Sequence, residues 1–195
     1  SDNIAITATQ GKVTTDKAVI TTPGTLSVRA AGAVSNVEGT LAGNGDTTVD
    51  AASLDNSAGA LASVTGDLRV TTSGTTVNTA GRMLASGAVV LANSGLANVD
   101  GTAGGASLSI DTHGGTLDNT RGTLSASRMM GLNTGALAND AGLIQSGGAM
   151  TIDTHGQALT NINAAGYSTG QGGIVSPGTL TLNTGAVNNA AGFIG

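Results

Sequence analysis

Cysteine and tryptophan are absent from this chain of 195 residues, and tyrosine and phenylalanine occur once each. Without cysteine there are no disulfides and no thiolate metal sites. The core of an ordinary enzyme of this length draws on many more aromatic residues, so the composition disfavours a conventional globular enzyme. Proline occurs only twice and glycine does not fall at every third position, which excludes collagen.

Charge and long apolar runs are also scarce. The seven Lys and Arg residues are scattered and have no aromatic neighbours, so we expect no nucleic-acid partner. No apolar run reaches the roughly 18 residues of a transmembrane helix, so we expect no membrane insertion. Residues 1–20 lack the order of a signal peptide and the chain opens without Met. We therefore expect an interior fragment of a much longer protein, with residues 1–195 forming one repeat segment.

Small residues dominate what is present. The 32 Gly, 30 Ala and 29 Thr residues make up almost half of the chain. Leu, Ile and Val nevertheless recur throughout, and the mean hydropathy of +0.17 argues against disorder. The composition indicates a protein that buries small aliphatic side chains in thin layers.

A repeat of about 21 residues is the strongest signal in the sequence. Short runs alternate apolar with polar residues, the period of a strand with one buried face. Each run contains a pair of inward positions two residues apart. The first members of successive pairs are 19 to 22 residues apart, except that the last interval is 30. The pairs are Leu26/Val28, Thr47/Val49, Leu68/Val70, Val89/Leu91, Leu108/Ile110, Met130/Leu132, Met150/Ile152 and Leu180/Leu182.

A second landmark lies between these runs, an Asn followed three residues later by Gly. An apolar residue or Thr stands two positions before each Asn, and an apolar or small residue follows most of the Gly residues by two. Asn161 takes the same place in the one irregular unit. We interpret these pairs as structural corners: Asn36/Gly39, Asn56/Gly59, Asn78/Gly81, Asn98/Gly101, Asn119/Gly122, Asn139/Gly142 and Asn189/Gly192.

Units this short cannot bury an apolar face alone, but stacked units can. We predict an all-β fold, a right-handed parallel β-helix of about nine turns with roughly 21 residues per turn. With strands about 4.8 Å apart along the axis, these turns make a rod about 43 Å long. Gly and Asn suit corners because both tolerate positive φ. Stacked Asn side chains can also hydrogen-bond along the axis. A β-propeller or β-sandwich is the alternative all-β fold, although propeller repeats are longer, at about 40 residues.

The units Leu54-Asp55-Asn56-Ser57-Ala58-Gly59-Ala60-Leu61 and 137–144 resemble the haemagglutinin repeats of the filamentous haemagglutinin family. The similarity covers about residues 24–195. That family comprises large bacterial exoproteins of two-partner secretion, including adhesins and contact-dependent growth-inhibition effectors. The resemblance implies a secreted filament on the bacterial cell surface and an outer-membrane transporter as the partner during secretion. It also implies that this segment is part of the shaft.

Two histidines have matching contexts, Asp111-Thr112-His113-Gly114 and Asp153-Thr154-His155-Gly156. They are two turns apart, roughly 9.6 Å along the axis, which is too far for one zinc ion with bonds near 2.1 Å. The same place holds Asn-Thr-Gly in other turns, so we interpret it as a turn position. The scattered carboxylates do not converge as catalysis requires. We expect no enzyme activity, no catalytic or metal site and no cofactor.

The irregular unit contains about nine extra residues, and we expect residues 163–173 to protrude as a loop. It carries the only tyrosine, a residue favoured at recognition surfaces. Its candidate binding residues are Tyr167, Ser168, Thr169 and Gln171.

Three functions follow from these observations. The first is a rigid shaft in a secreted adhesin or contact-dependent inhibition filament. The alternative is a module that itself binds a receptor or glycan on a host or neighbouring cell through the loop around Tyr167. The third is a β-helix enzyme that degrades polysaccharides.

Overall fold

The computed structural model describes residues 2–164 and 172–195, and its regular elements there are β-strands. The strands are short, between two and five residues, and each of the first eight turns contributes one strand to each of three sheets. The all-β parallel solenoid predicted from the repeat is confirmed.

Sheet A contains the longest strands, and its order follows the chain one turn at a time. Its strands are β1 (Ile4–Ala8), β4 (Leu26–Ala30), β7 (Thr47–Ala51), β10 (Leu68–Thr72), β13 (Ala88–Ala92), β16 (Ser107–Asp111), β19 (Met130–Asn133), β22 (Met150–Asp153) and β25 (Leu180–Asn183).

Sheet B is made of strands of two or three residues. They are β2 (Val13–Thr14), β5 (Ala33–Ser35), β8 (Ser53–Asp55), β11 (Thr76–Val77), β14 (Leu96–Ala97), β17 (Leu117–Asp118), β20 (Leu137–Ala138), β23 (Leu159–Thr160) and β26 (Val187–Asn188).

Sheet C contains the third strand of each of the first eight turns. Its strands are β3 (Val19–Thr22), β6 (Thr40–Gly43), β9 (Ala60–Ser63), β12 (Arg82–Ala85), β15 (Thr102–Gly105), β18 (Thr123–Ala126), β21 (Leu143–Ser146) and β24 (Gly173–Val175).

Every strand pairs in parallel with the corresponding strand of the next turn, for example Leu68 with Val89 and Val89 with Leu108. Strands β1 to β21, taken in sets of three, form seven regular turns. The eighth turn includes residues 165–171, which lie outside the described residues, and the ninth has two strands and the bridge Ile174–Ile194. The predicted count of about nine was therefore too high for regular turns, which number seven. The right hand of the coil stays a prediction from the handedness of parallel crossovers.

The core consists of columns of aliphatic side chains, one rung per turn. Leu41, Leu61 and Met83 in sheet C and Leu117 in sheet B are completely buried. The alternating pairs found in the sequence supply the column under sheet A, and burial of each such side chain contributes about 1.5–3 kcal/mol. Thr47 replaces an aliphatic residue there, and its buried hydroxyl donates to the carbonyl oxygen of Ala62 at 2.6 Å.

The backbone of the corners differs from the sequence-based expectation. Gly and Asn do occupy the corners, but the expected reason, their tolerance of positive φ, was wrong. None of the corner Asn residues has a positive φ. The left-handed residue is instead the one just before each Gly, for example Ala58 with φ of 53° and Ala80 with φ of 52°. Positive φ is likewise absent at every predicted corner glycine: Gly39, Gly59, Gly81, Gly101, Gly122, Gly142 and Gly192.

The physical reason for these glycines is space rather than backbone conformation. A non-glycine residue adopts the left-handed conformation beside each of them, for example Glu38 before Gly39 and Asp100 before Gly101. The glycine itself lies so close to the preceding turn that a Cβ would not fit. Among the described residues, no helix is long and apolar enough to cross a membrane.

Candidate functional site

The corner asparagines form one continuous chain of side-chain hydrogen bonds between sheets B and C. Each Nδ2 donates to the Oδ1 of the Asn in the next turn, at 2.6–2.8 Å. Thr15 stands in the first turn and donates its hydroxyl to Asn36 Oδ1 at 3.0 Å. The asparagine ladder, as we name this chain, consists of Asn36, Asn56, Asn78, Asn98, Asn119, Asn139, Asn161 and Asn189.

The ladder also satisfies the backbone of the corner. Asn78 Nδ2 lies 3.2 Å from the carbonyl oxygens of Gly81 and Thr102, besides its bond to Asn98. Buried amides need such partners because an unpaired one costs about 1–3 kcal/mol. All the ladder side chains from Asn36 to Asn161 are buried. The amides therefore hold the third strand of one turn to that of the next.

The corner glycines make room for this arrangement. A Cβ at Gly81 would collide with the backbone oxygen of Asn56 and with Asn78 Oδ1. At Gly39 the backbone oxygen belongs to Thr15, which takes the place of Asn in the first turn. Collision with the backbone oxygen of the preceding corner Asn and with Oδ1 of the glycine's own corner Asn recurs at Gly59, Gly101, Gly122, Gly142 and Gly192.

Gly131 on the outer face of sheet A offers a contrast to the corner glycines. A Cβ at Gly131, in the middle of β19, would meet nothing within 4 Å. Closeness to a neighbouring turn depends on the position of the glycine, and it also occurs outside these corners, for example at Gly115 and Gly135. It explains the glycine of the Asn-x-x-Gly pattern without any appeal to positive φ.

The left-handed corner positions carry the clearest ion pairs. Arg121 donates from Nε and Nη2 to the two carboxylate oxygens of Asp100, both at 2.7 Å, one turn away. These hydrogen bonds hold the pKa of Asp100 below its ordinary value and raise the pKa of Arg121. Lys17 and Glu38 approach to 3.8 Å at the same position earlier in the chain. Opposite charges in neighbouring turns favour the observed register.

Asp16 also links two neighbouring turns, at the first corner. Its Oδ1 accepts from the Ser35 hydroxyl at 2.5 Å and from the backbone N–H of Val37 at 2.9 Å. The Ser35 hydrogen bond, followed by the Val37 N–H, lowers the pKa of Asp16. The contact links the first two turns through an exposed carboxylate.

The two histidines occupy equivalent left-handed turn positions, with φ of 50° at His113 and 51° at His155. His113 Nδ1 lies 3.0 Å from the Asn93 carbonyl oxygen, and His155 Nδ1 lies 3.1 Å from that of Thr134. The backbone N–H of each His donates to Oδ1 of the Asp two residues earlier, at 2.8 Å. In the part of the chain that the structure describes, no three His, Asp or Glu side chains form a group that could hold a metal ion.

The predicted binding residues Tyr167, Ser168, Thr169 and Gln171 lie outside the described residues. The chain enters this segment after Asn161, which keeps its place in the ladder between Asn139 and Asn189. It leaves at Gly173, whose N–H donates to the Gly142 carbonyl oxygen at 2.8 Å. The extra residues of the eighth turn therefore fall between two regular strands, β23 and β24.

Sequence reasoning did not single out Asn93. Its side chain is buried, Oδ1 accepts from the Gly95 N–H at 3.2 Å, and Nδ2 has no hydrogen-bond partner. The equivalent positions of later turns hold Thr112, Thr134 and Thr154, whose hydroxyls all bond to backbone carbonyls. The departure from Thr at this position is the signal in the sequence that could have found it.

The fold and its ladder define a class of protein, a stacked-repeat β-solenoid whose turns are joined at Asn-Gly corners. The haemagglutinin repeat family model matches the chain in five overlapping stretches, residues 2–37, 20–83, 63–120, 101–166 and 154–193. Neither the curated proteins nor the solved structures gave a match to the chain. Because the family matches extend over nearly the whole sequence, the chain belongs to the filamentous haemagglutinin family through its haemagglutinin repeats. The resemblance predicted from the repeat units is confirmed.

Proposed function

We propose that the segment is a rigid structural shaft of a secreted, surface-displayed bacterial exoprotein. The observation that carries the proposal is the uninterrupted asparagine ladder, which joins every turn from Asn36 to Asn189 by the same hydrogen bond. A solenoid in which each turn contacts only its neighbours extends in one direction and holds its two ends apart. The role of the segment is then geometric rather than catalytic.

Family membership supports the setting of this shaft. In the proposed setting, residues 1–195 are one segment of a longer filament that passes an outer-membrane transporter and projects from the cell. The filament holds either an adhesive end or a growth-inhibiting end away from the surface. A receptor or glycan on a host or neighbouring cell is contacted by another part of that filament.

Shortening the rod tests its rigidity. Deletion of residues 68–107 joins Asp67 to Leu108, which removes two complete turns and restores the register of sheet A. The maximum dimension in small-angle X-ray scattering should fall by about 10 Å, two strand spacings, while the cross-section stays constant. A change in cross-section, or a flexible scattering profile, would contradict a rigid shaft.

Cell binding tests whether the segment is more than a shaft. The labelled segment, and a variant lacking residues 164–171, are titrated on epithelial and bacterial cells after circular dichroism shows that both are β-rich. A shaft gives no saturable binding with either form. Saturable binding that disappears with the deletion would replace the proposal with a binding module acting through the segment around Tyr167.

A further inference from the structure

The outer face of sheet A carries an ordered pattern of charge that the shaft function does not use. Two columns of outward residues run along it in register, one through the centre of the strands and one near their carboxyl ends. The central column is Ala5, Ser27, Thr48, Arg69, Val90, Ser109, Gly131, Thr151 and Thr181. The second column is Thr7, Arg29, Asp50, Thr71, Ala92, Asp111, Asn133, Asp153 and Asn183.

Most of the charges in these columns are separated along the axis, with Asp50 in β7 as the exception. The cations Arg29 and Arg69 lie before β13, whereas the carboxylates Asp111 and Asp153 lie after it. Arg69 is exposed and forms no ion pair with any described residue. Asp111 and Asp153 each use Oδ1 for a turn N–H, so the second carboxylate oxygen remains available.

The spacing of these charges is symmetric about β13. The strands of Arg69 and Asp111, β10 and β16, are its direct neighbours in the sheet. Arg29 in β4 and Asp153 in β22 each lie three strands away from it, on opposite sides. A two-fold axis along β13 therefore places Arg29 of one copy opposite Asp153 of another, with Arg69 diagonal to Asp111. The half-buried Val90 then lies at the centre, against its own counterpart.

We propose that sheet A is a self-association surface on which a second copy of this chain docks face to face and antiparallel. Both partners use the same patch, as a closed two-fold interface requires. The two-fold axis makes each charge pair occur twice, both Arg29 with Asp153 and Arg69 with Asp111. The small side chains at Ser109, Gly131 and Thr151 allow the two sheets to approach closely. Those three residues line two adjoining depressions on this face, of about 290 and 370 Å³.

Repulsion between carboxylates of the two copies disfavours alignments that are shifted by one turn. A shift by one turn in one direction places Asp50 opposite Asp111, and a shift in the other direction places it opposite Asp153. In the proposed register Asp50 faces the neutral Asn133, and within its own chain it pairs with Arg29 at 3.7 Å. Like charges in opposition are the usual means by which interfaces suppress wrong alignments. A parallel arrangement is disfavoured as well, because it would bring the two copies of Arg69 together.

A third pair of charges fits the same alignment. Arg128 is exposed two residues before β19, and Asp46 is exposed directly before β7. Both strands lie two positions from β13, on opposite sides, so the two-fold axis brings these charges to the same edge.

The area of the proposed interface follows from the size of sheet A. Strands from β4 to β22 span about 30 Å by 16 Å, so the two docked molecules bury roughly 1,000 Å² in total. That area lies at the lower limit for a specific interface and suits a weak pair.

Charge reversal in separate molecules tests the proposal. The intact chain should sediment as a monomer–dimer mixture at about 0.1 mM in low salt, and added salt should shift it to monomer. Arg29→Glu alone and Asp153→Arg alone should each weaken dimerisation about tenfold. An equimolar mixture of the two variants should restore it, because each heterodimer then contains only attractive pairs. Arg82→Glu, at an exposed arginine on sheet C, is the matched control and should have no effect.

Cross-linking establishes the orientation, because the chain has no cysteine of its own. Val90→Cys should form covalent dimers with a thiol reagent that spans about 10 Å, the distance between packed sheets. Thr151→Cys should not cross-link with itself but should do so with Ser27→Cys of a second molecule. Self-cross-linking of Thr151→Cys would overturn the antiparallel alignment. A monomeric wild type, or association insensitive to both charge reversals, would overturn the surface itself.

Discussion

Two columns of the same solenoid, one buried and one exposed, differ in how far they tolerate variation. The asparagine ladder holds Asn in eight successive turns, from Asn36 to Asn189. The central outward column of sheet A holds Ser, Thr, Arg, Val and Gly over the same turns. Both columns have the same backbone pairing, so pairing alone does not demand a fixed residue. Repetition is required where a side chain must satisfy buried polar groups in two turns at once.

The comparison assigns different roles to the two columns. A change in the ladder affects a buried chain of hydrogen bonds and therefore stability. A change on the outer face of sheet A alters charge and shape without disturbing the core, so that face is free to specialise for contacts between molecules. The first two predictions below separate these roles by making the same substitution in both places.

Glycine substitution should show the largest difference. Gly81→Ala places a Cβ against the Asn56 backbone oxygen and Asn78 Oδ1, and neither can move without breaking the ladder. We expect a loss of about 4 kcal/mol or more in the free energy of unfolding, because backbone strain and lost hydrogen bonds combine. Gly131→Ala has open space and no positive φ, so it should be neutral or slightly stabilising.

Urea denaturation followed by circular dichroism measures both glycine variants under one set of conditions. Equal losses for Gly81→Ala and Gly131→Ala would refute the steric account of the corner. A strongly destabilising Gly131→Ala alone would instead show that the middle of sheet A is more constrained than its open surroundings indicate.

Asparagine substitution should have the next largest effect. Asn98→Ala removes the acceptor of Asn78 and the donor to Asn119 Oδ1, at 2.7 and 2.8 Å. We expect a loss of about 2–3 kcal/mol, since two buried amide groups each lose a partner. Asn133→Ala deletes the same side chain from the outer face of sheet A and should cost less than about 0.5 kcal/mol.

The difference between these two asparagines is again read from urea denaturation. A cost at Asn133 equal to that at Asn98 would show that the outward Asn also supports the fold. A ladder variant as stable as wild type would show that water or the remaining carbonyl contacts replace the amide.

The repeat pattern predicted most of the fold because each requirement of the fold recurs locally. Alternation around Leu68 and Val70 predicts a strand with one buried face, and the register of β10 with β13 follows from the repeat length. The reason for corner glycines such as Gly101 and Gly122 was not predictable in the same way. Their constraint is a contact with Asn one turn earlier, which requires the stacking distance to be known.

The candidate sites show the same difference between local features, which the sequence predicts, and contacts between turns, which it does not. The repeated Asp-Thr-His-Gly context correctly indicated a turn position, because a motif and its spacing are local properties. The unpaired amide of Asn93 was not predicted, since it depends on where buried carbonyls lie. The symmetric charges about β13 were also missed, because they become visible only when each strand has a place in sheet A.

Asn93→Thr should have a smaller effect, and one of opposite sign. Threonine at the equivalent positions bonds its hydroxyl to a backbone carbonyl, for example Thr112 to Gly115 at 2.6 Å. The substitution removes the unpartnered Nδ2, and we expect a gain of about 1 kcal/mol. Thermal unfolding measures it, with Thr134→Asn as the reciprocal variant. A loss of stability in Asn93→Thr would show that the amide has a partner in solution, such as a buried water.

The exposed corner pair should have the smallest effect, and that effect should depend on pH. Hydrogen bonds from Arg121 hold the pKa of Asp100 below its ordinary value, so the folded state binds this proton less readily than the unfolded state. Stability from the pair is therefore present above the unfolded pKa and is lost as pH falls through the folded one. Asp100→Asn should lower the melting temperature slightly at pH 7 and leave it unchanged in strong acid. Glu38→Gln, whose contact with Lys17 is longer at 3.8 Å, should change less at pH 7. If the gap between wild type and Asp100→Asn persists in acid, the carboxylate charge is not the source of the stability.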